Sequence, residues 1–399
     1  MCADGAPGYR ATPWSQHVLV WAVFFLMGSD LFLIPPLLPV MSEQFGTSIS
    51  ATAWVVTTFG LAYASVSPIF GALTTNRRRR EVILLGVAVM ATGVIVTGLA
   101  PSLAVALIGR VIGGLGGALV GPVIWAYLAE SAAPHERGRA IARAAAAYAG
   151  GQIVGVPLGT VLAAGAGWRW AFVGLAVGFA LAGTMIAFRL REPPRPVQRS
   201  RKRSAMRASV GLWQMPTFRL ILSANSAAQT ARLGAYAYAG AIFAEQFGFG
   251  TGVLGVVGAV VGLGSFTGSL VAGPVVDWWR AGRRAEPALG MGWAIMLAAS
   301  LALATAADEW WLALIGFAAS AFAGAAFFST SQVFLTTVTG SRRSAAVAWN
   351  NSALYLGTAI GATALGGFGL GSLGFVLTAA AFGLFAASVS GFLALRLRR

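Results

Sequence analysis

Apolar residues in this chain come in long, nearly unbroken runs. A helix that crosses a bilayer needs about 20 of them. Twelve runs qualify: residues 17–41, 50–74, 81–101, 103–129, 139–164, 168–188, 218–246, 251–276, 287–306, 310–338, 343–369 and 372–395. The pattern predicts an all-α membrane protein with twelve transmembrane helices and a core of helices packed on one another. Only one polar break is long. Residues 189–216 are rich in Arg, Ser and Pro, read as a flexible linker, and divide the spans six and six. The expected organisation is an N-terminal six-helix bundle over 1–188, a cytoplasmic linker over 189–216 and a C-terminal six-helix bundle over 217–399. Within the linker, Val210 to Met215 reads as a short interfacial helix with Trp213 at headgroup level. Two six-span halves are the sign of a transporter built from repeats, with its site at midplane between them.

Composition agrees. The chain is 57% apolar and 10% charged, against roughly 25% charged in soluble proteins. Its 52 glycines suit helices that approach closely in lipid. Cys2 is the single cysteine, so no internal disulfide forms. The first apolar run is too long for a cleavable signal peptide. A net charge of +16 raises the question of nucleic acid. Its distribution points to membrane orientation instead. Of the 28 Lys and Arg residues, 25 fall in the termini and connections of one face. The other face has Arg169 with Glu43, Glu245, Asp308 and Glu309. The positive-inside rule puts the basic face and both termini in the cytoplasm, with the chain in the cytoplasmic (inner) membrane. No aromatic-interleaved basic patch accompanies the arginines, so no nucleic-acid partner is expected.

Charged side chains inside the spans carry the candidate chemistry. Asp30 sits within FFLMGSDLFLIPPLLPVM in span 1, near mid-depth. A carboxylate there costs roughly 2.5–3.5 kcal/mol, so it must face protein or water and is a candidate for handling protons, ions or substrate. The competing reading is a protonated Asp that only joins helices. Arg110 lies within span 4 and Arg232 within span 7, in the counterpart helix to span 1. Asn225, Gln229, Arg232 and Tyr236 follow offsets of 4, 3 and 4, which keeps them on one helical face. Span 10 offers Gln332 among Ser and Thr; span 11 offers Asn350, Asn351 and Tyr355. Trp54, Tyr63, Trp125 and Tyr127 could supply aromatic walls. Gly113, Gly117 and Gly121 form a smooth stripe on span 4, and Gly151, Gly155 and Gly159 another on span 5, where Pro157 can kink the helix. His17 and His135 belong to no catalytic or metal-ligating group, so neither enzyme function nor a metal is expected.

These features together resemble the major facilitator superfamily, and within it the drug:proton antiporter branch with arabinose-efflux-like permeases. The resemblance runs over about 17–395. It is carried by SDLFLIPPLLP in span 1, by Arg110-Val-Ile-Gly-Gly-Leu-Gly-Gly in span 4, by Gly151 to Thr160 in span 5, by Pro134-His-Glu-Arg137-Gly-Arg139-Ala between spans 4 and 5, and by Gly167-Trp-Arg-Trp-Ala-Phe172 at span 6. In the loop after span 2, Gly71, Leu73, Arg79 and Arg80 fit the family pattern. Thr75 replaces its acidic residue, which would favour a helix N-terminus, and Arg78 its second glycine. The matching loop after span 8 keeps Asp277, with two extra residues before Gly282. In span 5, Val156 and Pro157 offset the family's Gly-Pro pair by one.

The resemblance implies a transporter whose spans 1, 4, 7 and 10 line one cavity. Its expected substrate-cavity residues are Asp30, Tyr127, Asn225, Gln229, Arg232, Tyr236, Gln332, Asn350, Asn351 and Tyr355. Asp30 and Arg110 would couple protons. Gly71, Arg79, Arg80, Arg137, Gly151, Gly155, Pro157, Gly159, Asp277 and Gly282 would govern conformational change. The expected function is proton-coupled efflux of a small amphipathic drug or natural product by a monomer, with the bilayer and a small-molecule substrate as partners. No cofactor is expected, the proton gradient supplying energy. A transporter of a sugar-like or amino-acid-like metabolite is the alternative; a non-transporting receptor on the same fold is the alternative of another class. Asp30 and Arg232 each need a partner at mid-depth. Three arrangements stay open: the two pair directly or through water, Arg232 holds an anionic group of the substrate, or Arg232 hydrogen-bonds the backbone of another helix. Arg110, with no acid one turn away in its own helix, should lean on backbone carbonyls or a polar group of another helix.

Overall fold

The computed structural model describes residues 14–74, 77–132, 136–192, 209–282 and 284–397. The chain is all-helical there. We label the long helices α1 (Trp14–Phe45), α2 (Trp54–Leu73), α3 (Arg79–Gly98), α4 (Leu103–Ser131), α5 (Arg137–Gly150, a π turn Gly151–Gly155, then Val156–Ala166), α6 (Trp168–Arg189), α7 (Pro216–Phe247), α8 (Thr251–Ala281), α9 (Glu286–Ala306), α10 (Trp310–Val338), α11 (Arg343–Leu365) and α12 (Leu373–Arg396). Ten helical stretches of the described residues are long and apolar enough to cross a membrane. The other two expected spans are α7 and α11. Asn225, Gln229 and Arg232 in α7, and Asn350 and Asn351 in α11, make these two less apolar, although α7 is 32 residues long.

Helices α1 to α6 pack mainly on one another, as do α7 to α12. Three main seams join the two sets, α1 with α7, α2 with α11, and α5 with α8, and α1 also touches α8. Each seam closes through small residues or backbone. Pro39 has no N–H to give the carbonyl of Pro35, and that carbonyl lies against Gly240 of α7. Gly60 faces the Tyr355 carbonyl, and Gly255 faces Thr160 Oγ1. Thr57 and Thr363 share a hydrogen bond of 3.2 Å. These approaches all lie on the half of the helices away from the basic loops.

The glycine stripes face defined partners. Gly113, Gly117 and Gly121 lie against Phe59 and Tyr63 of α2, while Gly109 and Gly116 press on α3. Gly151, Gly155 and Gly159 receive α1 at Phe25, Ser29 and Leu33. The break expected at Pro157 takes the form of the π turn just before it. Ser29 Oγ donates to Gly151 O at 3.3 Å within that turn. Residues 193–208, most of the expected linker, fall outside the described residues, as do Thr75, Pro134 and His135. The expected interfacial helix is short: residues 209–211 are α-helical and run into a 3-10 turn, Leu212–Gln214, with Trp213 edge-on to Trp349.

Candidate functional site

Asp30 is carried on α1 and is buried. Its partner is Arg110 of α4, whose Nη1 donates to Asp30 Oδ1 at 2.8 Å. Both side chains are at most 2% exposed. Arg110 is also fixed by the carbonyl of Val55 at 3.2 Å and by the Phe59 ring, 4.3 Å from its guanidinium carbon. Asp30 Oδ2 and Arg110 Nη2 are buried without a partner. The pair is therefore held tightly on one side and left with an acceptor on the other, where a proton can sit.

Of the three arrangements left open for Arg232, direct pairing with Asp30 is not the one seen here. Arg232 donates to Gln229 Oε1 at 3.2 Å and to Ser265 Oγ of α8 at 3.0 Å. No carboxylate pairs with it among the described residues. The reason lies in helix rotation. Asp30 faces α4, while Arg232 faces α8 and α10, with its methylenes against Gly324. Neutral side-chain acceptors, not backbone, satisfy the guanidinium.

Aromatic rings enclose the ion pair. Tyr63 of α2 stacks on Tyr355 of α11 with centroids 3.7 Å apart. Tyr355 Oη meets Tyr148 Oη of α5 at 3.2 Å, so the two hydroxyls bridge the halves. Phe32 lies edge-on to both Tyr148 and Tyr236. Tyr236 Oη donates to Phe32 O at 3.3 Å, tying α7 to α1. Tyr148 was not anticipated, since it sits among alanines in a stretch that reads as a generic span. Tyr127 lies elsewhere: its hydroxyl donates to Arg191 O near the C-terminal end of α4, away from the ion pair. Trp54, expected as a wall, is exposed on the outer surface of α2.

A chain of amides runs beside this enclosure. Gln229 Nε2 donates to Asn225 Oδ1, and Asn225 Nδ2 to Asn350 Oδ1 at 2.9 Å. Asn350 Nδ2 donates to Gln332 Oε1. The helical-face spacing on α7 brought Asn225, Gln229 and Arg232 together, and the fold adds Asn350 and Gln332. Asn351 is half-buried beside them.

The loop after α2 holds a second charged cluster. Arg79 makes a two-pronged contact with Glu130 at the end of α4, at 2.7 and 3.0 Å. Glu192 accepts the backbone N–H groups of Arg79 and Arg80 at 3.1 and 2.8 Å, capping the N-terminus of α3. An anion at a helix N-terminus is favourable, so a carboxylate from the far end of α6 serves this loop. Arg80 donates to Ala187 O. In the last turns of α8, Asp277 is exposed and Arg280 pairs with Glu286 at the start of α9.

The sequence model of the Major Facilitator Superfamily matches residues 20–362. The chain belongs to that superfamily. It is a multi-pass membrane transporter and not an enzyme. The superfamily relatives include the uncharacterized MFS-type transporter YceJ of Bacillus subtilis, 28% identical over 362 residues, covering 88% of each chain. A multidrug resistance protein B homolog of Mycobacterium tuberculosis is 34% identical over 136 residues, covering 34% of this chain and 25% of the relative. The fold is similar to that of a bacterial homologue of the human lysosomal transporter Spinster, in an inward-facing and unoccupied conformation. That match has a TM-score of 0.75 and 16% identity, and covers 99% of this chain and 98% of the other.

Proposed function

We propose that this superfamily member exports a small amphipathic compound in exchange for protons. All twelve long helices would span the inner membrane, with both termini in the cytoplasm and substrate moving by alternating access. The observation that carries the reading is the Asp30–Arg110 pair, buried between α1 and α4 with Asp30 Oδ2 unpartnered. A carboxylate held by one arginine contact can take a proton on its free oxygen. Protonation removes the charge that attracts Arg110, which then relaxes onto the Val55 carbonyl and the Phe59 ring. A change at that contact is felt by α1, α2 and α4 together, and through Tyr355 and Tyr148 by α5 and α11. The aromatic enclosure suits an apolar, ring-bearing solute, and the local match to a multidrug resistance protein supports a drug-like one.

A second reading rests on the amides. Asn225, Gln229, Asn350 and Gln332 are arranged as hydroxyl-binding groups would be, which favours a sugar-like metabolite. Expression in a pump-deficient host with a panel of toxic compounds and labelled metabolites separates the two. Resistance to amphipathic compounds, lost in Asp30→Asn, is the expected result. Metabolite uptake without any resistance would replace the first reading with the second. Absence of any transport in proton-loaded vesicles would leave a receptor.

A further inference from the structure

Helices α11 and α12 both pack on α7 but scarcely on each other. The space between them is an apolar groove of about 970 Å³ with α7 as its floor. It opens sideways, through exposed Leu356, Leu377 and Phe385, and lies on the opposite face of α7 from Arg232. We propose that this groove is a binding site for an anionic phospholipid of the cytoplasmic leaflet.

Four observations support that occupant. First, Arg219 is the one charged residue of the lining and stands at the cytoplasmic end of α7. Arg342 adds a second guanidinium at that mouth, beside Gly211. Second, Trp213 and Trp349 meet edge-on at the same mouth, with centroids 5.0 Å apart. Tryptophans favour the headgroup level of a membrane. Third, from Arg219 to Thr230 the floor rises about 16 Å, and one leaflet of hydrocarbon is about 15 Å deep. The groove is thus one leaflet long, measured from its basic mouth. Fourth, Ser352 lines the groove three residues beyond Trp349, and its hydroxyl is buried without a partner. The glycerol ester carbonyls of a phospholipid are acceptors that could take its hydrogen bond. A phosphate on Arg219, an ester on Ser352 and a chain along α7 complete the fit. Such a lipid would brace α7 and α11, which carry the amide chain, against α12.

The test uses the full chain purified in detergent, with phosphatidylglycerol and phosphatidylcholine as probes and retained lipid counted by native mass spectrometry. A basic group near an anionic headgroup contributes roughly a fivefold preference. Wild type should retain phosphatidylglycerol over phosphatidylcholine by at least that factor, and Arg219→Gln should lose about fivefold of it. Arg396→Gln, at the cytoplasmic end of α12 and outside the groove, should keep the preference. Ala381→Phe, which fills the groove, should lower retention of both lipids. Equal retention of the two lipids by wild type, or an unchanged preference in Arg219→Gln, would overturn the proposal. So would Thr378→Cys shielded from an alkylating probe by an exported compound and not by phosphatidylglycerol, which would make the groove a lateral entrance for substrate.

Discussion

Asp30 and Arg110 dominate at the residue scale because each is buried with the other as its charged partner. Removing one member of a buried pair typically costs 3–5 kcal/mol, since the remaining charge has no compensation. Arg110→Ala should therefore lower stability by about 3–5 kcal/mol in denaturation of the purified protein. Arg110→Lys should recover part of it, because an ammonium cannot reach Asp30, the Val55 carbonyl and the Phe59 ring together. In a double-mutant cycle, Asp30→Asn and Arg110→Gln should couple by about 0.5–3 kcal/mol; additive effects would contradict the pairing. Both residues were legible in the sequence, because the cost of charge in lipid marks them without any structure. Their mutual contact was not. Position along an apolar run gives depth to within about a turn; it puts Asp30 and Arg232 near the middle and Arg110 in the outer half of its run. Which way each helix is rotated depends on packing between segments 80 or more residues apart, and that packing set Asp30 toward α4.

Among the elements, α1 and α5 interlock closely. Ser29 enters the π turn of α5, and a side chain at Gly155 would collide with its hydroxyl. Gly155→Leu should abolish recovery of folded protein in size-exclusion chromatography, whereas Gly292→Leu, where nothing lies within 4 Å, should be tolerated. The stripe of glycines announced this contact, and Pro157 announced a break; the π turn itself left no mark that periodicity could reveal. The N-terminus of α3 gives a second case. Thr75 signalled that the usual acidic residue was missing from the loop, but Glu192, 113 residues beyond Arg79, could be matched to it only in three dimensions. Glu192→Gln should destabilise by about 0.3–1 kcal/mol, the worth of a charge at a helix N-terminus, and low ionic strength should enlarge the effect.

For the whole molecule, the alternating access proposed above would require the seams, which lie on the half away from the basic loops, to part during transport. Cysteines at Thr57 and Thr363, in a Cys2→Ser background, sit where the two hydroxyls are 3.2 Å apart. Oxidation should lock the protein and stop transport, and reduction should restore it. Unimpaired transport by the oxidised protein would mean that this seam does not open. The long helices, ten of them long and apolar enough to cross a membrane among the described residues, followed from runs of apolar residues. The seams did not, because they depend on backbone contacts at Gly60, Gly240 and Gly255 that any small residue in a span could offer. In the proposed function, Asp30, paired with Arg110, couples proton movement to transport. The most direct measurement follows a pH-sensitive dye sealed in proteoliposomes, with a compound identified by the resistance panel supplied on one side. Wild-type protein should move protons opposite to the compound, and Asp30→Asn should still exchange compound for compound while moving no protons. Compound-driven proton flux in Asp30→Asn equal to that of wild type would contradict the account.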